Sequence, residues 1–376
     1  MKPFALRLLV AVLLAVILGL LALLALPRPG VRITALRPVD TPASAVEAPD
    51  IPPRVRLATY NLEHFYDGYR DGVDRTPEAA GRQVAGAAAI IASVDPDILM
   101  LQEIENPAML QKLNEALPIP YPYAYITRYI TSRGAPDTIN DAMLSRLNPR
   151  EVRQISFHKL PHGRRPSRGA LAARFSLAPG RDLLVYDMHL KSNYGKSHRN
   201  IAQRSIALHL LAADAAAERY RTAEWADLSV VLVGDTNVDP DVEEFADDPS
   251  LHALAGGYTD LWLGRPIEER TTIPTRHPGP DGDTNLVFRP AAFDRIFASK
   301  DLTTPAPPPP ECDASVTALV DHYGELFPLL PAPRYAISAP VALPRGCATN
   351  DNRLQPGFGG HVTDHYLVYA DITPAN

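Results

Sequence analysis

The stretch Val230-Val231-Leu232-Val233-Gly234-Asp235-Thr236-Asn237 decides how the chain is read. Four apolar, mostly β-branched residues in a row suit a strand buried on both faces of a sheet. The run breaks at Gly234, and Asp235 and Asn237 follow two positions apart, on the same side of the emerging chain. One of them can take a proton and the other can donate hydrogen bonds. Gly-Asp-Thr-Asn is also ordinary turn composition, so the weight of the stretch depends on partners elsewhere.

Working outward, residues 183–189 read as a strand ending on His189, followed by a long helix over about 198–220. Its residues Ile201, Ser205, Leu208 and Ala212 share one face. Beyond Asn237, the acidic loop 239–248 reads as a solvated face. A strand over 292–297 then carries Asp294. Further out, residues 54–61 alternate and end on Asn61. Thr76, Pro77 and Glu78 supply an N-cap, an N1 proline and a first-turn acid for a helix to about residue 93. A buried strand closes on Gln102 and Glu103, a short helix follows over 108–117, and strands are expected at 141–145 and 170–177. The last strand is entered through Asp364-His365. Strands with intervening helices in one ordered block make an α/β (α+β) domain over residues 54–373. The lack of a fixed period excludes a solenoid.

With 376 residues, 46% of them apolar, the chain is long enough for a large core. Its 38 prolines, about twice the usual share, imply stiff loops. The net charge of −6 excludes bulk electrostatic binding of nucleic acid, so a polyanion needs a local basic patch or a metal ion. Residues 8–26 are unbroken apolar sequence behind Lys2 and Arg7, about 28 Å as a helix. This exceeds a signal-peptide core. The expectation is an N-terminal transmembrane helix within residues 1–30, an uncleaved anchor in preference to a cleaved signal segment, then a Pro/Ala-rich tether over 31–53. The catalytic domain would then be membrane-anchored and extracytoplasmic, periplasmic or extracellular. Cys312 and Cys347, the only cysteines, fall in a Pro-rich insertion at 303–360. In an exported domain they are expected to form a disulfide, with free thiols as the alternative. Asp281-Gly-Asp283-Thr-Asn285 imitates a calcium loop but has Leu286 and Ala292 at its sixth and twelfth places, which excludes an EF-hand.

Asn61, Glu103, His189, Asp235, Asn237, Asp294, Asp364 and His365 all sit at ends or edges of expected strands, where a sheet gathers distant polar groups into one cleft. The ordered set Tyr60-Asn61-Leu62-Glu63, Leu101-Gln102-Glu103, His189-Leu190-Lys191-Ser192, Gly234-Asp235-Thr236-Asn237, Asp294-Arg295-Ile296 and Thr363-Asp364-His365 resembles the endonuclease/exonuclease/phosphatase superfamily, with its DNase I-like fold. Leu101-Gln102-Glu103-Ile104-Glu105-Asn106 is similar to the superfamily's extracellular nuclease-like branch.

The resemblance implies a four-layered α/β sandwich and phosphoester hydrolysis with a divalent metal, usually Mg²⁺, with Mn²⁺ or Ca²⁺ as substitutes. It makes Glu103 the main metal ligand, with Asn61 and Asp364 close to the metal or its waters. His365 would pair with Asp294, and Asp235 would orient or deprotonate water. Asn237 and His189 would donate hydrogen bonds to phosphate oxygens. The family often places a tyrosine near the phosphate, for which Tyr123, Tyr125 and Tyr129 are all candidates. It also often has Ser where this chain has Thr363. Arg128, Arg133, Arg164, Arg165, Arg168, Lys191 and Lys196 are available to line a polyanion cleft. The expectation is a monomeric, metal-dependent phosphodiester hydrolase, endonuclease-like, with nucleic acid among its substrates. The alternatives are a phosphatase or phospholipase, and an inactive membrane-anchored binding scaffold.

Overall fold

Val231 and Val233 pack into one hydrophobic core, while Val230 and Leu232 pack into another. A strand buried on both faces needs a layer on each side, and the computed structural model supplies both. It describes residues 31–39, 52–69, 76–131, 134–157, 165–223, 226–273, 290–303, 335–343 and 362–375. The strands are β1 (Val31–Ala35), β2 (Val55–Phe65), β3 (Ile98–Ile104), β4 (Tyr123–Ile126), β5 (Asn140–Ser145), β6 (Glu151–Phe157) and β7 (Ala170–Ala178). They continue with β8 (Arg181–His189), β9 (Asp227–Asp235), β10 (Tyr258–Asp260), β11 (Asp294–Ser299), β12 (Tyr335–Ile337), β13 (Val341–Ala342) and β14 (Val368–Pro374). The three main helices are α1 (Pro77–Val94), α2 (Pro107–Ala116) and α3 (Ser197–Thr222).

One sheet runs β1-β6-β7-β8-β9-β11-β10, and the other runs β12-β14-β2-β3-β5-β4 with β13 also on β14. Each is antiparallel except for one parallel pair, β8/β9 in the first and β2/β3 in the second. A parallel pair needs a crossover, and α3 and α1 provide them. The Thr76 hydroxyl accepts from the Ala79 amide at 3.2 Å, so α1 starts where its capping residues place it. Leu57, Ile98 and Met143 of one sheet meet Leu171, Val185 and Val233 of the other in the central core. Val84, Ile90 and Ile91 of α1 cover the outer face of the β2 sheet, and Leu208 and Leu211 of α3 cover that of the β9 sheet. The result is the expected four-layered sandwich.

Several expectations need correction. Residues 31–39 are not a tether. β1 pairs with β6 from Val31↔Phe157 to Ala35↔Arg153. The Leu36 amide then bonds Val152 O, and the Val39 amide bonds Ala124 O, each at 2.8 Å. The segment is a strap across the open edges of both sheets, a position where bare backbone groups invite pairing. The loop 239–248 is only partly a solvated face. Asp239 is fully buried against Arg270 and Arg295, and Asp248 is buried against Arg204. β4 and β6 were not expected. β6 hides its strand character because Arg153 is buried, paired with Asp214 at 2.8 Å and Glu218 at 2.6 Å. Within the insertion, residues 335–343 build β12 and β13 onto β14.

The apolar run 8–26, the Asp281 loop, Arg133, Arg164, Cys312 and Cys347 lie outside the described residues. Among those that are described, no helix is long and apolar enough to cross a membrane.

Gly234 ends the run in β9 with φ 129°, and a Cβ there would lie 2.0 Å from Met188 O. Only glycine fits between β8 and β11 at this point. Gly234→Ala should lower unfolding stability by roughly 1–3 kcal/mol, read from the urea midpoint.

Candidate active site

The inner faces of the two sheets change character in steps of two residues towards one end of the sandwich, as the strand period requires. On β2, Val55 and Leu57 give way to Thr59 and Asn61. On β8, Leu183 and Val185 give way to Asp187 and His189. On β9, Val231 and Val233 give way to Asp235. The polar residues form two tiers.

The lower tier is sealed. The Gln102 amide donates to Thr59 Oγ1 at 2.9 Å and to Asp187, and the Tyr129 hydroxyl donates to Asp141 at 2.6 Å. Burial raises the Asp141 carboxyl to about 7 and pushes Asp187 well above the carboxylate range, with the charge of Asp141 adding to the effect on Asp187. Asp187 therefore favours its neutral form, and Asp141 keeps its proton up to about pH 7.

The upper tier lies nearer solvent, with Glu103, Asn237 and Asp364 partly exposed and Asn61, His189, Asp235, Asp294 and His365 buried. The Asn61 amide donates to Glu103 Oε1 at 3.3 Å and to Asp235 Oδ2 at 3.1 Å, while its oxygen accepts from the Glu63 amide at 2.9 Å. The His64 amide donates to Glu103 Oε2 at 2.7 Å. These contacts require irregular backbone. The β2/β3 and β3/β5 ladders both shift register here. Glu63, His64, Glu103 and Asn237 have φ of 44°, 51°, 67° and 54°. Among the described residues only Asp95, the C-cap of α1, joins them as a non-glycine residue with positive φ. Such bulges and left-handed residues re-aim side chains at functional sites.

His189 and Asp294 flank Asp235 in the β8/β9 and β9/β11 registers. His189 Nε2 lies 3.6 Å from Glu103 Oε1 and 3.5 Å from Asp235 Oδ2. Asn237 holds both Asp235 oxygens, with its main-chain amide on Oδ1 at 2.7 Å and its side-chain amide on Oδ2 at 2.8 Å. His365 Nδ1 is 2.7 Å from Asp294 Oδ2, which leaves Nε2 facing Asp364 at 3.4 Å and Asp235 at 3.9 Å. All eight expected residues therefore join one connected cluster. Two differ from expectation in orientation. The Asn237 amide is spent on Asp235 and Leu190 O, so it clamps Asp235 instead of facing outward. The Asn61 oxygen is taken by the Glu63 amide, so Asn61 acts here as a bridge between carboxylates.

Burial alone would raise the Glu103 carboxyl. His189 and His64 when charged, together with Arg168 and the His64 amide, outweigh it and lower Glu103 to about 2. Burial and Arg168 hold His189 well below its ordinary value, so it is neutral at pH 7 and Arg168 carries the lasting charge. Asp235 is raised to about 6 by burial, with His365 opposing and Asp294 reinforcing the shift.

Arg168 is thus a site residue that sequence motifs did not single out. Its Nη1 donates to Leu190 O at 3.2 Å. The signal was the basic turn before β7, but nothing in its spacing said where it would point. Glu63 is another, its Oε2 accepting the Asp364 amide at 3.0 Å. Of the three candidate tyrosines, Tyr129 is the one tied to the buried tier, through Asp141.

Among the described residues no group of three His, Cys, Asp or Glu side chains forms a cage for a metal. A Mg²⁺ ion does not need one, since it takes one or two carboxylates and keeps its waters. Glu103 meets that requirement: it is ionised at any physiological pH and its side chain is 13% exposed. Asp364 adds a hard oxygen atom nearby, while the Asn61 oxygen is engaged by the Glu63 amide.

A family model described as the endonuclease/exonuclease/phosphatase family matches residues 58–315. The match stops short of Asp364 and His365, which the fold brings back to the cluster. A truncated Caenorhabditis elegans TDP2 superposes with a TM-score of 0.51 at 16% identity, covering 85% of this chain and 98% of that one. A D. rerio TDP2 complexed with single-strand DNA product gives 0.50 at 19% identity, covering 85% and 98%. An endonuclease/exonuclease/phosphatase family protein from Bacteroides thetaiotaomicron gives 0.50 at 15%, covering 85% and 94%. At these identities the likeness is one of fold. No curated protein matches the chain in sequence.

The raised Asp141 pKa has a sign. Stability from the protonated form is present below the unfolded carboxylate value and is lost as pH rises through about 7. Asp141→Asn, which can still accept from Tyr129, should therefore raise the melting temperature at pH 8 and raise it roughly half as much at pH 5. Thermal scans at both pH values check this.

Proposed function

The chain belongs to the endonuclease/exonuclease/phosphatase family, and from that premise we propose that it is a metal-dependent phosphodiester hydrolase acting on nucleic acid strands. The observation that carries this reading is the clamped Asp235. Asn237 fixes both its oxygens, His189 and His365 lie within 3.9 Å, and Asn61 links it to the ionised Glu103.

Asp235 is the base. A carboxyl near 6 is ionised at pH 7 yet basic enough to take a proton from water in the transition state. Clamping by Asn237 and Asn61 fixes the orientation of its two oxygens. Asp294 accepts from His365 Nδ1, which fixes the ring and leaves Nε2 to serve a phosphate oxygen. His189 has no partner at Nδ1, so its proton belongs on Nε2, where it serves the same oxygens as a neutral donor. Glu103 would hold Mg²⁺, with Asn61 and Asp364 beside it; when bound, the ion polarises the phosphoryl oxygen and steadies the leaving oxygen. A pure binding scaffold has no use for a strained backbone at Glu63, His64 and Glu103.

The product-bound TDP2 neighbour supports nucleic acid as the substrate class, ahead of lipid or small phosphoesters. For location, the reading remains an extracytoplasmic domain anchored by residues 8–26, on sequence grounds alone. Recovery of the full-length chain in the soluble fraction after lysis would remove it.

Asp235→Asn should cut Mg²⁺-dependent hydrolysis of a generic phosphodiester about 10²–10⁴-fold with the fold intact by circular dichroism, and chelator should abolish the wild-type rate. Full activity of the variant would sink the mechanism. The wild-type rate should also fall with acid, on a limb at or below about pH 6, as Asp235 protonates. Asp294→Asn should reduce kcat with little change in KM, because it acts through the ring of His365 and touches no substrate.

A further inference from the structure

A second feature lies beside the catalytic cluster, on the side of the N-terminal strap. A cleft of about 430 Å³ is walled by strap residues, the end of β4, the inner edge of β6 and the basic turn before β7. Arg32, Arg37, Arg128, Arg165 and Arg168 line it, and among the described residues no Asp or Glu does. Elsewhere the protein pairs its buried arginines with carboxylates, as Arg153, Arg204, Arg270 and Arg295 show. Arg32, Arg37 and Arg128 are exposed, and among the described residues their guanidinium groups meet no carboxylate. In a chain of net charge −6, such a concentration of unneutralised cations needs an anionic occupant.

The floor of the cleft is apolar, formed by Ile126, Phe157 and Pro166, with the exposed side of Ile130 at its margin. An apolar floor under a cationic rim accommodates one nucleotide, with its base on the floor and its phosphate on the guanidinium groups. The volume suits a single nucleotide and leaves no room for a pair of acyl chains. Arg168 connects the cleft to the site. It lines the cleft, donates to Leu190 O beside His189, and its charge is felt by both His189 and Glu103.

We propose that this cleft is a subsite for the nucleotide adjoining the scissile phosphate, with that nucleotide's own phosphate held by Arg32, Arg37 and Arg128. The inference rests on the hydrolase reading and adds the substrate class: a strand with at least two phosphates. It also gives the strap a role in substrate recognition, since Arg32 and Arg37 belong to it.

The test is binding of a fluorescein-labelled oligothymidylate to the full-length chain in chelator, where no hydrolysis occurs. The double variant Arg32→Ala/Arg128→Ala should bind about tenfold more weakly, and its log–log salt dependence should be shallower by about 0.7 for each phosphate that is no longer neutralised. Lys112→Ala on α2, outside the cleft, should bind as the wild type does, and all three proteins should share a urea midpoint. Equal oligonucleotide affinity in the double variant, or no binding by the wild type, overturns the subsite. So does a double variant that loses affinity for phosphatidylglycerol vesicles and keeps it for the oligonucleotide. Hydrolysis of bis(4-nitrophenyl) phosphate by the unsubstituted chain with Mg²⁺ tests the catalytic reading separately, because that ester has a single phosphate. Its absence would sink the hydrolase assignment without touching the binding result.

Discussion

The Asn61 amide ties the two halves of the molecule together at the end that carries the cluster, above the Gln102–Asp187 bond. Asn61 lies in one sheet and Asp235 in the other, 174 residues apart, and the bond between them crosses the interface at 3.1 Å. The side chain is fully buried, so both of its protons and its oxygen must find partners, at a cost of about 1–3 kcal/mol for each group left unpaired. Glu103 and Asp235 take the protons and the Glu63 amide takes the oxygen. The last of these bonds accompanies the left-handed residues Glu63 and His64, and the His64 amide then reaches Glu103. Satisfying one buried amide thereby sets the backbone that positions the anionic side of the cleft.

The electrostatics follow from depth. Carboxyl groups lie in two tiers along the inner faces of the sheets, and the same residue type behaves differently in each. Asp141 and Asp187, sealed with few donors around them, are pushed towards their neutral forms. Glu103, nearer solvent and facing Arg168 and two histidines, is held ionised. Asp235 lies between these limits, near 6. Negative charge is thus concentrated at the mouth of the sandwich, where a cation and a water can use it. Beneath the mouth, the protein avoids the cost of burying charge by keeping protons on its acids.

Much of this was legible in the sequence. A continuous apolar run marked β9 as buried on both faces, β3 and β8 were legible as strands, and the polar residues closing all three marked the site. What the sequence hid has physical causes. Arg153 interrupts the apolar alternation of β6 because its charge is met by Asp214 and Glu218 from α3, a pairing that exists only after folding. Asp239 and Asp248 looked like solvated acids because their arginine partners, Arg295, Arg270 and Arg204, lie 31 to 56 residues away. The strap holds only one proline, Pro38, but it is short, the sequence around it is rich in proline, and its partner edges are far along the chain. For Asn61 and Asn237 residue type was a sound guide to location. It could not say which way the amides would turn, since that is decided by which donors and acceptors arrive around them.

The strap also defines what counts as the smallest intact unit of this protein. Judged by helices and long strands, the domain would begin at β2, and a fragment trimmed there would keep all eight clustered residues. It would also expose the free edge of β6 along five residue pairs and remove the bonds that Leu36 and Val39 make to the two sheets. One wall of the arginine cleft would go with them. Such a fragment would retain its chemistry while acquiring a sticky edge and a blunted grip on its ligand. The boundary that preserves the molecule lies before Val31, in sequence that resembles a linker.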